Sequence, residues 1–535
     1  VTNLLTISLE HYSSPNAKIP KNSNSGESGN RPDMIIRPAF LPVSLAVTDD
    51  YRQPRLNSTL DDLQELSPPL TSLLQAIFRK NNFREGQLPA IRNALCGLDS
   101  VVLLPTGAGK SIIYQLAGLL LPGVTITIDP LVALIEDQIN GLEQYGITRA
   151  LGLSANTLTQ GNRESILSGI EKGEYFFILM SPERLQSPDF RNTLISLSQT
   201  TTVNMAVIDE AHCVSEWGHD FRPSYLHLSR NLRQFCRDSN GDPPPLLALT
   251  GTASRAVLRD MLADLQVSTD NDKALIKPQS FDRKELNYEI KRVSPGAESA
   301  SLRGIINTLP NDFGYPIGDF FSSHGSKTNA GIVFTRYVNG NDGLVNLKRE
   351  LNTILPCDIA LFSGSKPNGL QGDWEAEKRR YAKEFKSNQR PLLIATKAFG
   401  MGIDKPNIRY TIHYGMPSSL ESFYQEAGRA GRDRNSAKAY IIFSEFDSDQ
   451  TDSILDPNKD IEVIREMFDS VQRDSRDDAT KALWFHLNSF QGIEEEMMAV
   501  KEILNRLNSI DQRINQTIPF GPTSGSRSIQ EKAIY

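Results

Sequence analysis

The chain has 535 residues, with 57 Lys and Arg against 64 Asp and Glu, a net charge of −7 and 39% hydrophobic residues. That length predicts three to four domains with ample cores, and the acidic balance excludes a globally basic nucleic-acid binder, so any such site is a local groove. No run of 18 apolar residues offers a membrane span, the N-terminus lacks a signal-peptide core, and four scattered cysteines, Cys96, Cys213, Cys236 and Cys357, lack metal-ligand spacing, which predicts no zinc and a reducing cytoplasmic or nuclear setting.

Residues 1–66 are rich in Ser, Asn, Pro and Gly and read as a largely disordered extension. Helical spacing begins at Leu70 and runs to Arg79. Arg84 and Gln87 follow, either reading the edge of an adenine ring or lying exposed at a helix joint. Val101 to Leu104 is an apolar run that reads as a buried strand. Thr106, Gly107, Ala108, Gly109, Lys110 and Ser111 come next, and a helical pattern opens at Ile112. Strand, small-residue turn and helix N-terminus make a phosphate-binding loop, although Leu104 stands where the strict motif has glycine. Lys110 would reach the β- and γ-phosphates of ATP, and the Ser111 hydroxyl would ligate Mg²⁺.

Further strands are predicted at Val124 to Ile128, Tyr175 to Met180, Met205 to Ile208 and Leu246 to Leu249, with a helix at Leu131 to Tyr145. They end in Asp129-Pro130, Ser181-Pro182, Asp209-Glu210-Ala211-His212 and Thr250-Gly251. Asp209 would hold Mg²⁺ through water and Glu210 would deprotonate the attacking water. Alternating strands and helices predict an α/β fold with a doubly wound parallel sheet over 67–290, whose ligands sit at the carboxyl ends of the strands.

A break is expected around Asn287 to Lys327, after which alternation resumes in a second α/β domain over 291–447, without a phosphate loop of its own. It has strands at Gly331 to Thr335, Asp358 to Phe362, Pro391 to Ala395 and Tyr410 to His413, and helices at Leu344 to Leu351 and Trp374 to Phe385. Tandem domains of this kind would open and close about a nucleotide. Arg429 and Arg432, three apart on one helical face, would stabilise charge on the γ-phosphate. Residues 448–535 read as a helical accessory region, with Ile493, Met497, Val500, Leu504 and Leu507 at packing intervals. The chain starts at Val1, and a capping box at Ser528 and Glu531 opens a helix that stops at Tyr535, which suggests a further domain such as a winged helix.

Asp209 to Tyr225, Ala395 to Asn407 and Gln425 to Asp433 closely resemble the RecQ family of superfamily 2 DNA helicases, as do Phe83 to Gln87 and Phe281 to Arg283. The resemblance implies adenine contacts for Arg84 and Gln87, a nucleotide contact for Asp404, ATPase roles for Lys110, Ser111, Asp209 and Glu210, and an arginine finger at Arg432. It also implies that His212 to Arg222 is an aromatic-rich loop coupling DNA to hydrolysis. Trp217 and Phe221 offer stacking faces for bases, and His212 and Arg222 link the loop to the phosphates. Pro130, Thr250 and Thr396 are expected at backbone phosphates of the nucleic acid. The family's four-cysteine zinc module has no counterpart, since no cysteine follows Cys357.

The implied activity is ATP-dependent translocation on single-stranded DNA in the 3′ to 5′ direction with unwinding of partly duplex DNA, in repair, recombination or genome defence. Partner proteins of such a system are expected. An RNA helicase, a non-unwinding translocase subunit and a nucleotide-dependent scaffold stand as the alternatives.

Overall fold

A computed structural model describes residues 63–446 apart from 154–156, 158–160, 215–222, 226, 252, 254, 269–272, 279–282, 400–404 and 418–419, with a few isolated positions beyond. The chain divides between Gln279 and Ser280 into two compact units. No described helix is long and apolar enough to cross a membrane.

The first unit runs α1 (Leu63–Phe78), α2 (Gln87–Cys96), β1 (Ser100–Leu103), α3 (Lys110–Leu120), β2 (Val124–Ile128), α4 (Val132–Gln144) and β3 (Ala150–Leu153). It continues through α5 (Arg163–Glu171), β4 (Phe177–Met180), α6 (Pro188–Thr200), β5 (Val203–Ile208), α7 (Leu228–Phe235), β6 (Leu246–Thr250), α8 (Arg255–Asp264) and β7 (Leu275–Ile276). The strands form one parallel sheet in the order β3-β4-β2-β5-β6-β1-β7. Every residue of β1, β2, β4, β5 and β6 is buried. A parallel sheet is covered on both faces, so its inner strands are buried throughout rather than on alternate residues. α3 lies directly on the sheet at Gly118, where a Cβ would stand 2.4 Å from Thr125 Oγ1 and 2.8 Å from the Phe177 ring. Thr250, Asp209 and Asp129 follow or end β6, β5 and β2, and the loop of Leu104 to Lys110 follows β1. All four groups therefore lie along one carboxyl edge, where α/β sheets bind ligands.

The second unit runs β8 (Leu286–Val293), α9 (Glu298–Asp312), α10 (Ile317–Phe320), β9 (Ala330–Thr335), α11 (Leu344–Leu351), β10 (Ile359–Phe362) and α12 (Trp374–Lys386). β11 (Leu392–Ala395), β12 (Ile408–Tyr414), α13 (Leu420–Ala427) and β13 (Ala437–Ser444) follow. Its parallel sheet has the order β10-β11-β9-β12-β13-β8. Gly331 on β9 pairs with Tyr410 on β12, and the Tyr410 ring occupies the space above the glycine. α12 opens on Asp373, whose carboxylate accepts from Glu375 N at 3.0 Å and Ala376 N at 3.4 Å.

Two expectations are corrected here. The break around Asn287 to Lys327 holds β8 and α9, and Leu302, Ile305, Ile306 and Leu309 of α9 join the core. A domain boundary at 290/291 would cut β8, which pairs along its whole length with β13. β8 alternates buried and half-buried residues up to Lys291, as an edge strand does, so it lacks the apolar run that marked the inner strands. The extension over 1–62 and the packing positions Ile493 to Leu507 lie outside the described residues.

Candidate functional site

The loop from Leu104 to Lys110 forms without the motif's first glycine. Leu104 is fully buried, and it packs on Gly86, where a Cβ would meet Leu104 Cδ2 at 2.5 Å. Gly107 and Gly109 supply the left-handed turns, with φ of 81° and 76°. Gly109 precedes α3 with no side-chain cap, so the first N–H groups of that helix face the loop with the positive end of its dipole. Lys110 Nζ donates to Leu104 O at 3.4 Å. Gly251, after β6, stands over the loop: a Cβ there would lie 3.1 Å from Thr106 Oγ1 and 3.2 Å from Lys110 Nζ.

Gln87 is 2% exposed. Its amide donates to Ala108 O at 2.8 Å and Gly109 O at 2.9 Å, and its carbonyl accepts from Arg84 N at 2.8 Å. The side chain expected at adenine therefore braces the phosphate-loop backbone in this structure, with Arg84 beside it.

Asp209 is 7% exposed at the end of β5. Its carboxylate accepts from Glu210 N at 2.9 Å and from Gln138 Nε2 at 3.2 Å. Burial, then the Glu210 charge, pushes Asp209 up to about 6, while Lys110 pulls it down. Asp129, fully buried at the end of β2, is raised well above the carboxylate range by burial and then by Asp209. Gln138 Nε2 reaches Asp129 as well, at 3.4 Å, and Gln138 Oε1 accepts from the Tyr114 hydroxyl of α3. Glu210 holds a positive φ of 47°, a costly conformation for a non-glycine residue and one found at functional sites.

His212 is buried beside it. Its Nδ1 lies 3.3 Å from Glu210 Oε2 and 3.0 Å from Thr250 Oγ1. Tyr225 donates to Asp209 O at 3.2 Å. Thr250 is thus turned to His212 and is fully buried, and Pro130 is buried and has no N–H to offer a phosphate. Trp217, Phe221, Arg222 and Asp404 lie outside the described residues.

In the second unit Thr396 is buried at the end of β11. Arg429 and Arg432 do not share a helical face. α13 ends at Ala427, and Arg429, buried, and Arg432, half-buried, lie in the turns that follow. Gly431, at φ 65°, breaks the helical path, and Arg283 donates to the carbonyls of Gly428 and Ala430 at 2.6 Å and 2.8 Å, which holds the turns beyond the helix end.

The residues of the first unit fit a nucleoside triphosphate with Mg²⁺. An uncapped helix N-terminus and Lys110 suit phosphate, and Ser111 and Asp209 offer hard oxygen ligands. Sequence reasoning missed Gln138, Tyr114 and Asp129, which meet only through the fold. The one signal was that Asp129, like Asp209, ends an apolar strand.

The DEAD/DEAH box helicase family model matches residues 84–261, and the helicase conserved C-terminal domain matches 319–434. The "ATP-dependent DNA helicase RecQ" of Bacillus subtilis (strain 168) is 34% identical over 409 residues, 74% of this chain and 61% of that protein. The same organism's "Probable ATP-dependent DNA helicase RecS" is 32% identical over 413 residues, 76% of this chain and 74% of that protein. "RecQ-like DNA helicase BLM" of Xenopus laevis is 32% identical over 423 residues, 77% of this chain and 28% of that protein. The chain thus spans 61% of the first of these relatives and a smaller share of the last. Among solved structures, "DEAD-box helicase Mss116 bound to ssRNA and UDP-BeF" has a TM-score of 0.55 at 15% identity, over 90% of this chain and 98% of that one. "Crystal Structure of DUF1998 helicase MrfA bound to DNA" gives 0.51 at 16%, over 70% and 51%. At such identities the likeness is one of fold.

Proposed function

The chain belongs to the RecQ family of helicases, and from that premise we propose that it is an ATP-dependent DNA helicase, hydrolysing ATP to move 3′ to 5′ along single-stranded DNA and separate duplex ahead of it. The observation that carries this reading is the contact set of His212, whose Nδ1 faces both Glu210 and Thr250. Glu210 is the general base of the reading, and His212 opens the segment with Trp217 and Phe221 that is expected to stack on bases. A shift of that segment would be felt at Glu210 through one imidazole.

Lys110 and the N–H groups of the phosphate loop would bind the β- and γ-phosphates, and Ser111 and Asp209 would hold Mg²⁺. Bound Mg²⁺ supplies Lewis-acid charge to the phosphoryl oxygens. Glu210 orients water and takes its proton. Arg432, with Arg429, serves as the arginine that offsets charge developing on the transferred phosphoryl group.

The test is ATP turnover of the whole chain with single-stranded DNA, with single-stranded RNA and with neither, followed by strand displacement from a 3′-tailed duplex. Stimulation by DNA above RNA, and displacement, are expected. Stronger stimulation by RNA would refute the DNA assignment, and DNA-stimulated turnover without displacement would reduce the activity to translocation. Lys110→Ala should abolish turnover, and retained turnover would refute the site.

A further inference from the structure

Arg283 follows the boundary between the two units by only a few residues, yet it belongs to the turn that carries Arg429 and Arg432. It is 6% exposed. Two guanidinium nitrogens donate to Gly428 O at 2.6 Å and Ala430 O at 2.8 Å, the carbonyls on either side of Arg429. The third, Nε, donates to Glu285 Oε1 at 2.9 Å. Glu285 in turn accepts from Arg434 at 3.1 Å, and its backbone O accepts from Ala437 N at 2.8 Å. At Gly431 a Cβ would come within 3.1 Å of Glu285 Cγ, so Arg283 and Glu285 line the turn from Gly428 to Arg434. A planar fork with three filled donor positions fixes direction as well as distance, which a lysine ammonium does not.

We propose that Arg283 is a positioning residue for hydrolysis: it ties the segment that begins the second unit to the Gly428–Arg432 turn and thereby sets where Arg429 and Arg432 point. This rests on the reading of those two arginines as acting in ATP hydrolysis. Misplacing a charged group by about 1 Å costs on the order of 100-fold in rate, whereas substrate binding through Lys110 and the phosphate loop does not involve the turn. A purely structural brace of the turn by Arg283 would instead predict a less stable protein with an unchanged turnover number once folded.

The experiment compares Arg283→Ala, Arg283→Lys and Arg432→Ala in the full chain. It reads kcat and KM for ATP at saturating single-stranded DNA, the affinity for a non-hydrolysable ATP analogue, and the affinity for ADP with tetrafluoroaluminate as a transition-state mimic. Amide hydrogen exchange over Gly428–Arg432 is followed without nucleotide. Arg283→Ala should lower kcat by about 10–100-fold, leave KM and analogue affinity within about threefold, lose affinity for the transition-state mimic, and speed exchange in the turn. Arg283→Lys should fall between it and the wild type, and carries the same test if the alanine variant does not fold. Wild-type kcat in both Arg283 variants, with Arg432→Ala inactive, overturns the proposal. So does an equal loss of analogue affinity and kcat. Full turnover in Arg432→Ala instead overturns the underlying reading of the turn.

Discussion

Gln138 donates its side-chain amide to Asp209 at 3.2 Å and stands 3.4 Å from Asp129, so one amide serves two buried carboxylates. Its carbonyl is held by the Tyr114 hydroxyl, which fixes the amide's orientation. The pair lies at the carboxyl edge of the sheet, and α4, which carries Gln138, starts directly after the β2 loop. The carboxylate that would hold the metal is therefore connected to two helices by a single side chain.

Replacing Gln138 by Leu removes the donor and leaves two carboxylates with less to stabilise their charge. Burial and Glu210 already raise Asp209 to about 6, and loss of the amide raises it further. The acid limb of the pH profile of kcat/KM should then move to higher pH, and half-saturation by Mg²⁺ at pH 7 should need several-fold more metal. Titration of Mg²⁺ between pH 5.5 and 8.5 checks both, and an unmoved limb with wild-type metal dependence would disprove the role of Gln138.

Asp129→Asn should stabilise the fold at high pH. It keeps an acceptor for Leu131 N, which Asp129 Oδ1 now binds at 3.2 Å, and removes one of the coupled charges. A carboxylate raised in the folded state penalises folding fully above its folded pKa and not at all below its unfolded value near 3.9. The variant should therefore melt several degrees higher than the wild type at pH 8, with the gain shrinking as pH falls toward 4. Calorimetry at pH 5 and 8 tests the sign, and a variant less stable at pH 8 than at pH 5 relative to wild type would contradict it.

Gln87→Ala separates two readings of one side chain. A residue that only reads adenine would leave the nucleotide-free protein unchanged. Gln87 instead holds Ala108 O and Gly109 O with a buried amide, and removing it leaves those carbonyls without that donor. A loss of about 1–3 kcal/mol in nucleotide-free stability is expected, together with weaker ATP binding. Urea unfolding without nucleotide is the check, and an unchanged midpoint would return Gln87 to a purely adenine-facing role.

How much of this was legible in the sequence follows from what each residue depends on. Met205 to Ile208 and Leu246 to Leu249 announce themselves because inner strands of a covered parallel sheet need apolar side chains on both faces. Lys110, Asp209 and Glu210 are legible because their chemistry demands a local spacing next to those strands. β8 was hidden by its edge position, with half-buried Asn287, Glu289 and Lys291 alternating with its buried residues, and α9 by the Pro and Gly residues around it. Gln138 and Arg283 were illegible as functional residues for a different reason. Each acts on a group 71 or 145 residues away, and nothing in the local pattern of α4 or of the segment before β8 records the partner.

Gly331→Ala tests the second sheet at its tightest point. A Cβ on Gly331 would lie 1.9 Å from the Tyr410 ring, which is fully buried and stacked on Phe320 at 5.9 Å. The ring cannot swing away, because Phe321 also meets it edge-on at 6.3 Å, so the strands β9 and β12 must part. Overpacking of this kind costs about 1–3 kcal/mol and occasionally more, and a contact this short belongs to the upper end. The variant should unfold its second unit at lower urea while the first unit's transition stays in place. Gly331→Ala with Tyr410→Leu should recover part of the loss, since the smaller side chain vacates the space. A single variant as stable as wild type, or a double variant no better than the single, would show that Tyr410 does not fill the space above Gly331.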